Sequence, residues 1–158
     1  MVPTWTLSLY TPRGACTERD GGLNKVGPGG IVDIEFMVQY LQLLHGSKYR
    51  GIRVTHTLLV LEALHKEGLL AKDDYLRLRK SYTFLRTLES RLRIVHNMPS
   101  HLLPKNPERL IPLAHRMGYQ DTKRTSGAKR LIKDVEDLRK RVRGIFKEVM
   151  VDNVFKSC

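Results

Sequence analysis

Two acids, Asp33 and Glu35, stand just behind three glycines and a proline in the run Lys25-Val26-Gly27-Pro28-Gly29-Gly30-Ile31-Val32-Asp33-Ile34-Glu35-Phe36. Carboxylates at the start of a helix, beside a backbone freed of Cβ atoms, could lie against another surface. Glycine lets the chain take positive φ or lie close against a neighbour. The free N–H groups of the helix start then face that neighbour, and the helix dipole favours negative charge there. The plainer alternative is a glycine-rich turn whose helix carries ordinary first-turn acids. Two positions apart on a helix, Asp33 and Glu35 diverge by about 200°. They are therefore not expected to grip one metal as a close pair. One is expected to face a partner while the other caps or pairs internally.

Other chemistries find less support. The six histidines, His45, His56, His65, His96, His101 and His115, form no H-E-x-x-H pattern and no repeated E-x-x-H pattern. His65 and His115 fall near helix C-termini, where a cation is favoured, and all six read as structural or solvated. Cys16 and Cys158 lie at opposite ends of the chain, without metal-type spacing or a disulfide framework. No G-x-S-x-G elbow occurs. Metal-dependent nucleotidyl transfer needs clustered carboxylates to hold Mg²⁺ against phosphates. Here Gly46-Ser47 is followed by no Asp-x-Asp, and Asp73-Asp74 opens a helix instead. Glu89 is expected to pair with Arg86 or Arg93, the alternative being that it reaches the interface. No catalytic residue and no metal ligand is assigned.

Charge is the strongest compositional feature. Lys and Arg number 28 against 16 Asp and Glu, a net charge of +12. The positives fall along helices, at Arg77, Arg79, Lys80, Arg86, Arg91 and Arg93, and again at Lys129, Arg130, Lys133, Arg139, Lys140, Arg141 and Arg143. Asp134, Glu136 and Asp137 interleave with the second set, as on a solvated face with i,i+4 pairs. A basic helical nucleic-acid-binding module is the alternative reading. It calls for a contiguous basic stripe with stacking aromatics, and aromatics make up only 7% of the chain, so nucleic acid is not the expected partner. No apolar run approaches membrane-spanning length, and the N-terminus lacks the basic and apolar regions of a signal peptide. A cytoplasmic location is the default.

The elements that must position these residues read as almost wholly helical. Residues 1–23 are broken by Pro3, Pro12, Gly14, Gly21 and Gly22 and read as a loose N-terminal arm; residues 24–158 read as the bundle. Ile31, Ile34, Val38 and Leu41 recur at helical spacing over residues 30–44, and Gly46 ends that helix. Thr55 or Thr57 is expected to cap a second helix closed by Gly68. A third runs over residues 73–96 on Tyr75, Leu78, Tyr82, Leu85, Leu88, Leu92 and Val95, stopped by Pro99. Asn106-Pro107 starts a fourth, ended by Gly118. Leu131, Val135, Leu138, Val142, Ile145 and Val149 mark the last. No segment alternates long enough to be a strand. The expected fold is all-α, an antiparallel helical bundle of about five helices.

The glycine-led segment, continued through Met37-Val38-Gln39-Tyr40-Leu41-Gln42-Leu43, closely resembles the signature of the helical domain that follows a nucleotidyltransferase domain in glutamine synthetase adenylyltransferase. Thr57-Leu58-Leu59-Val60-Leu61-Glu62-Ala63-Leu64 and Gly68-Leu69-Leu70 look like that family's second helix. Ser81-Tyr82-Thr83-Phe84-Leu85-Arg86-Thr87-Leu88-Glu89-Ser90-Arg91-Leu92, His101-Leu102-Leu103-Pro104 and Leu113-Ala114-His115-Arg116-Met117-Gly118-Tyr119 match in order. The likeness covers residues 24–150.

The resemblance implies a role in nitrogen control. The family enzyme moves AMP from ATP to a tyrosine of glutamine synthetase and removes it by phosphorolysis. It uses Mg²⁺ and responds to the PII protein and glutamine. The helical domain packs on the nucleotidyltransferase domain, and the resemblance puts Lys25, Gly27, Gly29, Gly30, Asp33 and Glu35 at that contact or at the border of the nucleotide site. Three departures accompany it. The catalytic domain's motifs are absent, an apolar residue expected between Asn24 and Lys25 is missing, and residues 1–20 do not resemble the basic helix expected upstream. A truncated or shifted reading frame, or a stand-alone remnant, would explain them. The chain alone is expected to be catalytically incomplete and to bind neither ATP nor Mg²⁺. A third reading, the related uridylyltransferase for PII, calls for metal-binding His-Asp motifs that this sequence lacks.

Overall fold

A computed structural model describes residues 27–96 and 107–155. Lys25, the expected arm, His101, Pro99, Asn106 and both cysteines lie outside the described residues. Five α-helices and no strand occur among those described: α1 (Ile31–His45), α2 (Thr57–Lys66), α3 (Lys72–His96), α4 (Pro107–Arg116) and α5 (Gly127–Phe155), with a single 3-10 turn at Arg50–Ile52. The all-α bundle expected from apolar periodicity is the observed fold.

The helix ends follow their sequence signals, with one correction. Gly68 and Gly118 take positive φ, 71° and 88°, just past α2 and α4. In each case the following amide reaches back five residues, Leu69 N–H to the Leu64 carbonyl and Tyr119 N–H to the Ala114 carbonyl, both at 2.9 Å. This is the Schellman arrangement, which satisfies last-turn carbonyls at little steric cost when glycine supplies the left-handed residue. Neither Thr55 nor Thr57 caps α2. The N-cap is His56, which makes no side-chain cap hydrogen bond, and Thr57 is the first helical residue. Its hydroxyl stands instead beside Tyr82, described below.

Two apolar clusters lie end to end. One joins α1 (Ile31, Ile34, Met37, Val38, Leu41), α2 (Val60, Leu61, Leu64), the first half of α3 (Tyr75, Leu78, Tyr82, Leu85) and the second half of α5 (Val142, Ile145, Phe146). The other joins the second half of α3 (Leu88, Leu92), α4 (Leu110, Leu113, Ala114) and the first half of α5 (Ala128, Leu131, Val135). The early part of α3 thus meets the late part of α5, and the reverse, so the two long helices run antiparallel through both clusters. Ridge packing of such long apolar stripes fixes their relative rotation. That rotation decides which arginines of α5 reach the start of α1.

Candidate functional site

Gly27-Pro28-Gly29-Gly30 forms a turn closed by a hydrogen bond from Gly30 N–H to the Gly27 carbonyl, 3.1 Å. Proline presets φ at the second position, and Gly29 takes φ +77° at the third, the pattern of a type II turn. Gly30 is the extended N-cap of α1. Having no side chain, it leaves the helix start to be satisfied from elsewhere.

Asp33 braces the turn in front of that helix start. Its Oδ2 accepts from Gly29 N–H at 2.8 Å and from Arg143 Nη1 of α5 at 3.0 Å. The carboxylate is 4% exposed. A negative group in the first turn also sits well against the helix dipole. One turn earlier on α5, Arg139 donates Nε–H to the Pro28 carbonyl at 3.1 Å. Burial pushes the Arg139 guanidinium below its ordinary pKa, opposed by the charges of Asp33 and Glu136. Even so lowered, an arginine remains charged at neutral pH. A Cβ on Gly29 would overlap the Arg139 backbone carbonyl. Glycine is thus required here twice over, by φ and by the approach of α5.

Glu35 lies on the other side of α1. Its Oε1 accepts from the Tyr82 hydroxyl at 3.0 Å and pairs with Arg86 Nη2. Arg86 also donates Nε–H to the Tyr82 oxygen at 3.1 Å and pairs with Glu89 at 3.2 Å. Thr57 Oγ1 of α2 stands 3.4 Å from the Tyr82 hydroxyl. The Arg86 guanidinium lies 5.2 Å from the Tyr82 ring centre, within reach of a cation–π contact. Three helices are tied at one half-buried polar knot.

The expected divergence of the two acids is observed: Asp33 pairs internally with Arg143, and Glu35 lies half-buried on another side of α1, paired with Arg86. Glu89 pairs with both arginines expected for it, Arg93 more distantly at 3.9 Å. Gly29 and Gly30 are buried, and Gly29 lies against this chain's own α5, not on a bare surface. Gly27 is half-buried, and Pro28 is exposed. Next to this turn, α1 turns Val32 (42% exposed), Phe36 (42%) and Leu43 (87%) outward. The Phe36 ring packs tilted on Phe146, centres 6.2 Å apart.

Sequence reasoning missed Arg139, Arg143 and the Tyr82 hydroxyl. The two arginines read as part of a solvated face, and Tyr82 as one member of an apolar stripe. A signal was present. Asp33 falls on the core side of α1, four residues before Met37, where an acid needs a cation. Arg139 and Arg143, four apart beside Val142, form a fork of the right reach.

These acids do not fit a Mg²⁺ site. Asp33 and Glu35 are engaged by arginines and diverge from one another. Among the described residues no group of three or more His, Cys, Asp or Glu comes together. No helix among them is long and apolar enough to cross a membrane.

The turn is thus locked to an all-α bundle by a buried acid, Asp33. The family model described as GlnD PII-uridylyltransferase matches residues 23–150, and the chain belongs to that family. It is 43% identical over 97 residues to a bifunctional glutamine synthetase adenylyltransferase/adenylyl-removing enzyme of Ralstonia nicotianae, covering 61% of this chain and 10% of the relative. It is 34% identical over 135 residues to the enzyme of that name from Corynebacterium glutamicum, covering 84% of this chain and 13% of the relative. With that of Bartonella quintana it shares 34% over 122 residues, 77% of this chain and 12% of the relative. The chain therefore spans about a tenth of the length of the curated relatives it matches.

Proposed function

We propose that this chain acts as a helical regulatory or substrate-binding domain of the enzyme that adenylylates and deadenylylates glutamine synthetase, with the nucleotide chemistry supplied by a nucleotidyltransferase domain. The observation that carries this reading is the match to relatives bearing that name over 61% and 84% of this chain, beside the family match over residues 23–150. ATP and Mg²⁺ are assigned to the nucleotidyltransferase domain, and among the described residues no group of three or more His, Cys, Asp or Glu comes together. Glutamine synthetase and the PII protein are the further partners, in the cytoplasm.

The geometry supports a docking role by a route different from bare glycines. The Gly29–Asp33–Arg143 lock fixes α1 on the bundle, so that Pro28, Val32 and Leu43 are presented on a rigid outer face. Rigid presentation lowers the entropic cost of docking.

The direct experiment incubates the chain with ATP, Mg²⁺ and glutamine synthetase and follows transfer of labelled AMP. The expected result is no transfer by the chain alone, and transfer when a nucleotidyltransferase domain is added. Transfer by the chain alone overturns the reading.

A further inference from the structure

The outward face of α3 joins apolar and basic side chains along one line. Leu76 and Ile94 stand at the same angle on the helix, about 27 Å apart along its axis, and both are exposed, 49% and 69%. Between them Arg79, Lys80, Thr83, Thr87 and Arg91 follow at helical spacing. With Leu76, Phe84 and Met117, these side chains line an open groove, and Ile94 lies one turn beyond it. Phe84 and Met117 rest, partly buried, on the apolar cluster of α3, α4 and α5.

The groove has an apolar floor and positive walls. Among the described residues no acid lines it, and Lys80 and Arg91 form no ion pair. Arg79 donates to the Tyr75 hydroxyl at 3.1 Å and feels the charge of Glu62. The other nearby acids stand outside. Asp134 and Asp137 line the neighbouring cleft beyond Lys80 and Phe84, and Asp73 lies about one turn before Leu76. The Thr87 hydroxyl is engaged with the Thr83 carbonyl at 2.9 Å, so the polar contacts on offer come chiefly from the three cations.

We infer that this face docks an acidic amphipathic helix of a partner protein. Apolar side chains recurring every three or four residues on such a helix reach Leu76, Phe84, Met117 and Ile94. Carboxylates flanking them meet Arg79, Lys80 and Arg91. Charge complementarity selects this occupant. A second copy of the chain, with its net charge of +12, would set like charge against like. A nucleic acid would leave the apolar floor unfilled and find one ring, Phe84, to stack on. The face lies on α3, apart from the α1 surface of Pro28, Val32 and Leu43, so the two docking surfaces stand or fall separately.

The test titrates the full chain into a fluorescent peptide of about 18 residues, made of Glu, Ala and Leu with leucines at three- and four-residue spacing. Two control peptides carry Lys for Glu and Ala for Leu. Anisotropy is expected to give a Kd of about 100 μM or tighter, at least about tenfold weaker for either control. The Lys80→Glu/Arg91→Glu pair weakens binding at least about tenfold, and Leu76→Ser/Ile94→Ser about fivefold. The same charge reversal on α5, Lys129→Glu/Lys133→Glu, leaves it within about twofold. Circular dichroism checks folding. Should the first pair unfold, Lys80→Glu alone, at an exposed position, must still weaken binding about threefold. Equal binding of either control peptide overturns the proposal, as does an equal loss from the α5 reversal. So does unchanged affinity in the α3 variants, or no binding at about 1 mM. Binding of a DNA duplex that Lys80→Glu/Arg91→Glu weakens about tenfold assigns the face to nucleic acid and also overturns it.

Discussion

The carboxylate of Asp33 and the guanidinium of Arg143 meet at 3.0 Å, joining the first turn of α1 to the second half of α5 across 110 positions of sequence. The same oxygen holds the Gly29 amide, so one acid braces the turn before α1 and anchors a distant element.

Removing that acid strands its partners. Asp33→Ala leaves the Gly29 N–H and a half-buried Arg143 without their acceptor. With Arg143 31% exposed, water recovers part of the loss, and a destabilisation of about 2–3 kcal/mol is expected. Urea unfolding of Asp33→Ala, Arg143→Met and the double variant measures it. Coupling near zero in that cycle would show that the pair contributes nothing jointly.

Two glycines with positive φ should respond differently to the same change. Gly68→Ala meets open space and carries only the left-handed backbone penalty, about 1 kcal/mol. Gly29→Ala adds a collision with the Arg139 carbonyl, for a total of about 3 kcal/mol. Thermal unfolding ranks them, and equal losses would mean that α5 yields freely at the turn.

Tyr82→Phe keeps the ring in the core and deletes the hydroxyl that Glu35, Arg86 and Thr57 share. A loss of about 1 kcal/mol is expected, since Glu35 and Arg86 retain each other. Denaturant unfolding checks the size. A loss as large as that of Asp33→Ala would place the hydroxyl, not the ion pair, at the centre of the knot.

Tyr119 gives the fold a sensitivity at high pH. Burial first, and then its hydrogen bond to Asp134, raise its pKa from 10.0 to about 12. The folded state therefore holds the phenolic proton more tightly than the unfolded state. Its contribution is complete below about pH 10 and is lost as pH rises through about 12. Tyr119→Phe should flatten that part of the stability profile, read by alkaline unfolding against the parent chain. An unchanged profile would assign the loss to other groups.

At the acid end Asp121 acts in the opposite sense. Its Oδ1 accepts from Gly127 N–H at the start of α5, 2.7 Å. That bond leads the causes that lower its pKa, ahead of smaller contributions from Ser126 and His115. A depressed pKa means stability present above the ordinary carboxylate range and lost as pH falls through the lowered value. Asp121→Asn should be less stable than the parent at neutral pH and converge with it in acid, as followed by circular dichroism.

The sequence by itself determined the helices and where they end. Apolar spacing within one segment is a local property, and so are the conformations of Gly68 and Gly118 that stop α2 and α4. The divergence of Asp33 and Glu35 was equally legible, because it follows from 3.6 residues per turn. Only the tertiary structure decided which acid faces inward and what meets it. Arg139 and Arg143 look like any solvated basic residues until the packing of the long apolar stripes of α3 and α5 sets the rotation of α5. That rotation carries them to Pro28 and Asp33, and the packing of α4 on α3 puts Met117 and Phe84 in one groove. Side chains brought together from distant segments share no local period, so their meeting is written in the packing and not in the spacing.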